Sequence, residues 1–265
     1  MNNVTVVIPS YNTSTYIKDC LKIFLKSTYI NEIIIGDDFS RVSELEKLEE
    51  IVFELKKETK KEIILIKNNK NKGAFENKKN LVQESTNQLV YVFDADNIPQ
   101  KNIDQTIEKI LSNAQDNFIY VPSKIYQFES YYIISKLLSI FNSKYRVRLS
   151  KKDMLIDIEM VRDYILNDTD YTIDKNLMWV LSVGNYFVNK KGFNKHVAEE
   201  YEKFSSINVS NDFLAVCYFH LTSGGKIKLI ENFYHFHRKR KDSAAFLLED
   251  EFFDSIQIFK KKFMD

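Results

Sequence analysis

EIIIGDD, residues 32–38, sets the fold class of this 265-residue chain. Three consecutive isoleucines before a glycine and two aspartates are typical of a buried strand that ends in a turn. Upstream, VTVVI at 4–8 is a second short β-branched run, and Pro9 follows it. Between the two runs, apolar residues recur at helical spacing over 13–28. The order strand, helix, strand predicts two parallel strands joined by a helix.

The same alternation continues downstream. Residues 43–58 carry one apolar stripe, which is typical of an amphipathic helix, and residues 62–66 form the next β-rich run. A helix is predicted over 73–86 and a fourth strand over 89–93. This pattern favours an α/β fold with a mostly parallel sheet and helices on both faces.

Three polar loops follow the carboxyl ends of predicted strands, at residues 9–12, 37–40 and 94–97. In open α/β sheets, ligands bind outside the carboxyl ends of the strands. The topology alone therefore predicts a binding site where these loops meet.

The second half of the chain is less regular. Strands are predicted over 118–122 and 226–230, and helices over 129–142 and 210–223. Residues 179–189 are interpreted as two strands joined by a Gly-Asn turn.

Composition excludes several classes of protein. The formal net charge of +1 argues against a general nucleic-acid binder. Cys20 and Cys217 are far apart, which favours neither a disulfide framework nor a zinc site and fits a reducing cytosol. The β-rich run from Val4 leaves no room for a signal peptide, and no apolar stretch approaches the roughly 18–20 residues that span a bilayer. We expect a cytoplasmic protein.

Asp94 and Asp96 follow the fourth predicted strand, in YVFDADNIP at 91–99. Mg²⁺ and Mn²⁺ prefer oxygen ligands and bridge carboxylates to phosphates. A lone Asp-x-Asp is also typical of a helix cap or an Asx turn. By itself this motif leaves both interpretations open.

Five motifs in order carry a resemblance to a known family. They are VIPSYN at 7–12, GDDFS at 36–40, NKG at 71–73, DAD at 94–96 and HRKRKDS at 237–243. Together they resemble glycosyltransferase family 2, over residues 4–243. The resemblance implies the GT-A fold, which is Rossmann-like, and an inverting enzyme that uses a nucleotide-diphosphate sugar.

The resemblance also implies a division of the chain. We expect a GT-A domain over 1–243, with a nucleotide-binding half at 1–97 and an acceptor-binding half at 98–243. A C-terminal amphipathic helix is predicted over 244–265, because its apolar residues fall on one stripe. This helix packs on the parent domain or a partner subunit, or lies peripherally on an anionic membrane, for which Lys260–Lys262 are suited.

The reaction implied by the resemblance is the transfer of a hexosyl or hexosaminyl group, with a UDP-sugar as donor. The acceptor is a hydroxyl of a glycan or glycoconjugate, as in polysaccharide biosynthesis. The cofactor is Mn²⁺ or Mg²⁺. The residues assigned to the donor are Pro9, Tyr11, Asp38, Lys79, Asp94, Asp96, Arg238, Arg240 and Ser243.

Within that set, the resemblance gives each group a role. Asp38 hydrogen-bonds the base, and Tyr11 lies against it. Asp96 coordinates the metal directly, Asp94 contacts the ribose or a metal-bound water, and His237 reaches the phosphate or the metal. Arginine suits the diphosphate because its guanidinium binds phosphate through two hydrogen bonds.

The basic residue after Asn-x-Gly is one position further along than the family pattern, so the spacing leaves open whether Lys78 or Lys79 is directed inward. Lys79, which Asn80 follows, is our assignment. Gly184 and Asn185 fit either a hairpin turn or a sugar-binding segment. Trp179, the only tryptophan, fits a core position or a stacking platform.

The general base implied by the resemblance is Asp212. A direct displacement needs a carboxylate that takes the proton of the incoming hydroxyl. Asn211 stands where the family has glutamate. The alternative role for Asp212 is an acid in the first turn of a helix.

Two other functions stay open. A catalytically degenerate nucleotide-sugar-binding protein is favoured by the Asn211 substitution. A sugar nucleotidyltransferase also combines a parallel sheet with aspartates, but the loop after the first strand lacks the glycine-rich sequence of that class.

Overall fold

The computed structural model describes residues 3–128, 146–148, 152–167, 180–181, 184–203, 212–240, 258–259 and 261–264. Four sequence features lie outside these ranges: the helix predicted over 129–142, Trp179, Asn211 and Ser243.

Strands alternate with helices in the first half of the chain, and the two longest strands, β6 and β10, lie in the second half. The strands are β1 Val4–Ser10, β2 Ile30–Asp37, β3 Glu62–Lys67, β4 Leu89–Val92, β5 Ile98–Pro99, β6 Phe118–Phe128, β7 Arg146–Arg148, β8 Met154–Ile156, β9 Tyr186–Asn189 and β10 Lys226–Arg238. The helices are α1 Ser14–Phe24, α2 Val42–Glu58, α3 Ala74–Glu84, α4 Ile103–Leu111, α5 Ile158–Asn167, α6 Lys190–Phe193, α7 Glu199–Lys203 and α8 Asp212–Thr222, with a π-helical turn at Asn194–Ala198.

One sheet crosses both predicted halves of the chain. Its strand order is β3-β2-β1-β4-β9-β6-β10-β5, with β7 paired to β6 and β8 paired to β10. Strands β3, β2, β1 and β4 are parallel neighbours, and β6 is parallel to β10. Strand β9 is antiparallel to both β4 and β6, and so joins the two parallel groups. The predicted α/β sheet is confirmed.

The sheet has a hydrophobic core on each face. One core contains buried residues of α1, α2 and α4, and the other contains those of α3, α5 and α8. Strand β1 supplies both, since Val6 and Ile8 face the first core and Val7 the second. This period of two is what a strand buried on both faces requires. The prediction of helices on both faces is confirmed.

The predicted hairpin over 179–189 is wrong at residues 180 and 181, the two described positions of its first strand. Val180 is helical and Leu181 lies in a turn, and both are buried. A short buried apolar run has the same pattern in a helix and in a strand, so periodicity does not separate them. The second strand is present as β9.

Pro9 lies within β1 and does not end it. It pairs with Gly36 of β2, and the strand continues to Ser10. The sheet register therefore places the end of β1 beside Asp37, the last residue of β2.

The end of the chain packs on the domain. Phe259 and Phe263 are buried, and their rings lie 5.4 and 5.1 Å from the ring of Tyr218 in α8. Arg162 Nε donates to the carbonyl of Phe263 at 2.8 Å. Of the three arrangements expected for this segment, the described residues show packing on the parent domain. No helix within the described ranges combines the length and apolarity needed to cross a bilayer.

Candidate active site

The loop after β4 places both aspartates of the DAD motif at the carboxyl edge of the parallel strands. Asn97 N donates to the carbonyl of Asp94 at 3.1 Å, which makes residues 94–97 a turn. Asn185 Oδ1 accepts from the backbone N–H of Asp94 at 2.7 Å. The segment before β9 therefore holds the first aspartate in place.

Lys78 joins two carboxylates that are distant in sequence. Its Nζ lies 2.8 Å from Asp94 Oδ1 and 2.6 Å from Asp212 Oδ2, and it donates to the carbonyl of Gly184 at 3.4 Å. The lysine side chain is only 4% exposed. An ammonium group buried to this degree needs such partners, because an unpaired buried charge is costly.

The charges in this cluster shift one another. Burial alone lowers the pKa of Lys78, but the carboxylates of Asp212 and Asp94 outweigh burial and raise it. Burial raises the pKa of Asp94 to about 6, although Lys78 acts in the opposite direction. Lys78 therefore stays positively charged across the physiological range.

Helix α3 orients Lys78 toward the sheet. The preceding residue, Asn77, is buried and donates from Nδ2 to the carbonyl of Gly36 at 2.9 Å. A Cβ at Gly36 would lie 2.7 Å from both Leu81 Cδ atoms and 2.8 Å from Asn77 Oδ1, so a larger residue there would displace these side chains. This contact fixes the first turns of α3 against β2.

Asp96 is surrounded by the predicted arginines. Arg240 Nη1 lies 3.3 Å from Asp96 Oδ2, and Arg238 Nε donates to the carbonyl of Asp96 at 3.1 Å. The guanidinium of Arg238 is 4.6 Å from the ring centroids of both Tyr16 and Phe128. Cation–π contacts of this kind hold an arginine side chain in one place.

Asp38 uses both carboxylate oxygens within the protein. Its Oδ1 accepts from Asn68 Nδ2 and from Lys72 N, each at 2.9 Å, and its Oδ2 accepts from Gly73 N at 2.9 Å. Asp38 thus ties the end of β2 to the loop before α3. A nucleotide base that hydrogen-bonds to this carboxylate would share its oxygens with Asn68, Lys72 and Gly73.

Lys79 is not part of the carboxylate cluster. Its Nζ lies 3.1 Å from Glu76 and 3.2 Å from Glu202. A one-residue step along a helix turns a side chain by about 100°, so adjacent lysines meet different neighbours. Of the two lysines that the sequence left open, Lys78 is the one that reaches Asp94.

His237 lies near the end of β10 and is half-buried. Burial lowers its pKa, and the negative charge of Asp96 acts in the opposite direction.

The side chains at this edge of the sheet supply some of the ligands that a divalent cation needs. Asp96 offers a carboxylate and His237 an imidazole, both ligand types for divalent metals, whereas Asp94 is paired with Lys78. Within the described ranges, no group of three or more histidine, cysteine, aspartate or glutamate side chains is arranged to hold a metal. A cation here would depend on phosphate and water for its other ligands, as Mg²⁺ commonly does.

Two residues at this edge, Tyr16 and Phe39, were given no role from the sequence, and Asn185 was left between a hairpin turn and a sugar-binding segment. The Gly-Asn pair was a signal for Asn185, but its partner across the sheet was not visible. Tyr16 carried no signal, because its contact with Arg238 joins residues more than 200 positions apart. Phe39 is exposed and has a φ of 65°.

Solved structures share this architecture. The chain is similar to S. aureus TarS residues 1–349, with a TM-score of 0.60 and 12% identity, over 97% of this chain and 64% of that one. A TarS structure in complex with UDP gives a TM-score of 0.59 at 14% identity, over 97% and 64% of the two chains. A complex with UDP-GlcNAc gives 0.57 at 13% identity, over 91% and 60%. The predicted GT-A fold is confirmed by this likeness.

A curated relative matches a shorter region. Glycosyltransferase GlyG of Streptococcus pneumoniae serotype 4 (strain ATCC BAA-334 / TIGR4) is 28% identical over 106 residues, which are 39% of this chain and 33% of that protein. The chain therefore matches about a third of the length of that relative.

The family model described as glycosyl transferase family 2 matches residues 5–165, more than half of the chain. That range includes all of β1 except Val4, strands β2 to β4, Lys78 and both aspartates of the DAD motif. This match, together with the fold, identifies the chain as a member of glycosyl transferase family 2.

Proposed function

We propose that this protein is an inverting glycosyltransferase that moves a sugar from a nucleotide diphosphate, specifically a UDP-sugar, to a hydroxyl of a glycan or glycoconjugate. The observation that carries the proposal is the ion-pair cluster of Asp94, Lys78 and Asp212. In this cluster Lys78 contacts both Asp94, which is assigned to the donor, and Asp212, which is assigned as the general base. Asp212 begins α8 and its side chain is 20% exposed, so one face of the carboxylate is open to an acceptor.

The reaction is a single displacement at the anomeric carbon. The acceptor oxygen bonds to that carbon while its proton passes to Asp212. The bond from the anomeric carbon to the diphosphate oxygen breaks, and its electron pair leaves with the nucleotide diphosphate. Attack opposite the leaving group inverts the configuration, with an oxocarbenium-like transition state.

Lys78 positions both aspartates in this scheme. Its two ion pairs, at 2.8 and 2.6 Å, hold Asp94 and Asp212 at fixed places around one ammonium group. Pre-organised groups of this kind lower the barrier because they need no rearrangement as the reaction proceeds.

Positively charged side chains near Asp96 would offset the negative charge of the leaving diphosphate. Arg238 and Arg240 lie beside Asp96, and arginine binds phosphate oxygens through two parallel hydrogen bonds. Asp96 and His237 are the residues that would hold Mn²⁺ or Mg²⁺. When bound, the cation acts as a Lewis acid on the leaving group.

Support for a UDP-sugar donor comes from the structural neighbours, since TarS has been solved with UDP and with UDP-GlcNAc. The acceptor, a role in polysaccharide biosynthesis and a cytoplasmic location belong to the same proposal, and they rest on the family resemblance and on composition.

One observation favours a second function, a nucleotide-sugar-binding protein without transfer activity. Lys78 occupies Oδ2 of Asp212 at 2.6 Å, so only part of this carboxylate is available to a hydroxyl. Substitution of Asp212 separates the two functions.

Asp212→Asn is expected to lower kcat by about 10²–10⁴-fold, the usual contribution of a general base, with little change in UDP affinity. The assay measures sugar transfer to added glycans and UDP release with Mn²⁺. Asp157→Asn is the matched control, since Asp157 precedes α5 and its Oδ1 accepts from Met160 N at 3.1 Å. Asn caps helices as well as Asp, so a mere capping role leaves both variants active. A wild-type protein that binds UDP but turns over no donor supports the binding protein instead.

A further inference from the structure

Phe39 has a backbone conformation that large residues avoid. Its φ is 65°, and of the described residues other than glycine only Asn12 and Asn232 share a positive φ. Asparagine is enriched in this region, whereas phenylalanine is uncommon there because its Cβ crowds the backbone. Glycine would adopt the same conformation without that crowding.

The conformation of Phe39 is fixed by its neighbours. Asp38 N donates to the carbonyl of Ser10 at 2.9 Å, and Ser40 N donates to Asp37 Oδ2 at 3.1 Å. Ser40 Oγ in turn accepts from Asn12 N at 2.8 Å. These bonds tie the loop after β2 to the loop after β1, so the positive φ belongs to a pinned turn.

The ring of Phe39 contributes little to the protein's own core. The residue is 58% exposed, although the two residues before it are almost fully buried. Tyr11, on the adjoining loop, is 51% exposed. Because Ser10 and Asp37 are register partners, these two aromatic residues follow neighbouring strand ends by one and two positions. Strain that is kept without a gain in burial is typical of a residue used for binding.

We propose that Phe39 positions the base of the nucleotide, with its ring and that of Tyr11 as the two apolar surfaces at the entrance of the site. This inference rests on the proposed function. It adds to that function a residue that the family resemblance did not assign.

The chemistry favours a flat, aromatic ligand. Bases stack on aromatic side chains, and such stacking is tolerant of base identity because every base has a π-face. Phe39 follows Asp38, the residue assigned to hydrogen-bond the base, so stacking and hydrogen bonding come from adjacent positions. A backbone that hydrogen bonds already hold in one conformation loses little conformational freedom when the residue binds a ligand.

The test compares variants that remove the ring in two ways. Phe39→Gly removes the ring and suits the positive φ, whereas Phe39→Ala removes the ring and keeps the Cβ. Phe39→Tyr keeps an aromatic surface. The control is Phe53→Ala, because Phe53 is 61% exposed on α2 and lies outside the loops of the site.

Binding of UDP, GDP, CDP and dTDP is measured by calorimetry with Mn²⁺, and pyrophosphate serves as the probe without a base. We expect Phe39→Gly and Phe39→Ala to weaken binding of the preferred nucleotide by about tenfold, within the range that loss of one stacking contact gives. Phe39→Tyr and Phe53→Ala should bind as the wild type does, and pyrophosphate affinity should not change. Thermal melting of Phe39→Gly should show no loss of stability.

Wild-type nucleotide affinity in both Phe39→Gly and Phe39→Ala overturns the inference and leaves the proposed function intact. An equal loss of pyrophosphate affinity also overturns it, because the effect is then not on the base. A change in sedimentation with unchanged nucleotide affinity assigns Phe39 to a contact between copies of the chain. If the wild type binds none of the four nucleotides, the proposed function fails together with the inference.

Discussion

A single residue, Gly184, constrains the geometry of the ion-pair cluster of Asp94, Lys78 and Asp212. It has a φ of +72°, and a Cβ at this position would be 2.9 Å from Asp94 Oδ2. Its carbonyl also accepts from Lys78 Nζ. The sequence left a turn and a sugar-binding role open for Gly184, and its contacts place it beside the aspartate assigned to the donor.

Gly184→Ala is expected to displace Asp94 and to weaken UDP binding or transfer by an order of magnitude. The control is Gly224→Ala, because Gly224 has a φ of +83° and a Cβ there would meet nothing within 4 Å. Both variants should lose about 1–2 kcal/mol of stability from the left-handed backbone. Denaturation and nucleotide binding are measured on both. An equal functional loss in Gly224→Ala contradicts a specific effect on Asp94.

The adjacent lysines Lys78 and Lys79 have different partners, and the sequence did not distinguish them. The sequence identified both lysines as candidates, the spacing left the choice between them open, and Lys79 was assigned because Asn80 follows it. Both are buried, but Lys78 meets Asp94 and Asp212 while Lys79 meets Glu76 and Glu202. The choice depends on the rotation of α3 about its axis, which Asn77 fixes through its bond to Gly36 and which spacing does not report.

At the scale of secondary-structure elements, helix α8 and strand β10 meet at the buried His220. His220 Nε2 lies 3.1 Å from the carbonyl of Asn117 and 3.2 Å from that of Lys226. A Cβ on Gly225 would be 2.3 Å from the same nitrogen, so glycine is required at that turn. Burial, followed by the nearby His196, lowers the pKa of His220 to about 3.

This pKa predicts acid destabilisation through His220. Its ordinary value is 6.5, so between about pH 6.5 and 3 the unfolded chain binds a proton that the folded chain does not. Stability contributed by the neutral ring is therefore present above pH 6.5 and is lost as pH falls. The slope from one such group approaches about 1.4 kcal/mol per pH unit.

His220→Gln tests this prediction, because glutamine keeps an amide donor for one carbonyl and does not titrate. Urea denaturation at several pH values from 7 to 5 should show a shallower loss of stability in the variant. The difference between the two slopes isolates His220 from the other titrating groups. Parallel slopes would mean that His220 does not hold a depressed pKa.

Strand β10 illustrates a second element that the sequence described only in part. The predicted strand at 226–230 continues to Arg238, with a register shift between Ile230 and Tyr234 and a φ of 63° at Asn232. A local irregularity of this kind breaks the alternation that identifies strands. The continuation is what carries His237 and Arg238 to Asp96.

At the scale of the whole molecule, the position of the C-terminal segment had to be decided. Its apolar stripe was compatible with packing on the domain and with a membrane surface. Phe263 is 1% exposed and contacts Tyr218, which favours packing.

Phe263→Ala is therefore expected to lower the free energy of unfolding by about 3–5 kcal/mol, as the loss of a buried aromatic ring does. Met264→Ala is the control, since Met264 is exposed in the same segment. Chemical denaturation gives the free energies, and a liposome-sedimentation assay reports on membrane contact. Unchanged stability in Phe263→Ala, with weaker binding to anionic liposomes, would favour the membrane surface.

The sequence by itself determined the architecture of the first hundred residues. Alternating β-branched runs and amphipathic helices specify a parallel sheet because strand and helix periods are local properties of the chain. The same local order placed Asp38, Asp94 and Asp96 at carboxyl ends of strands, where ligands of such sheets bind.

The tertiary structure alone decided which groups meet. Strand β9 brings Asn185 to Asp94, α8 brings Asp212 to Lys78, and β10 brings the arginines to Asp96. These contacts join residues about 90 to 140 positions apart. They depend on strand order and helix rotation, which result from packing of the two cores and leave no period in the sequence. Local periodicity therefore fixes the sheet, and long-range packing fixes the site.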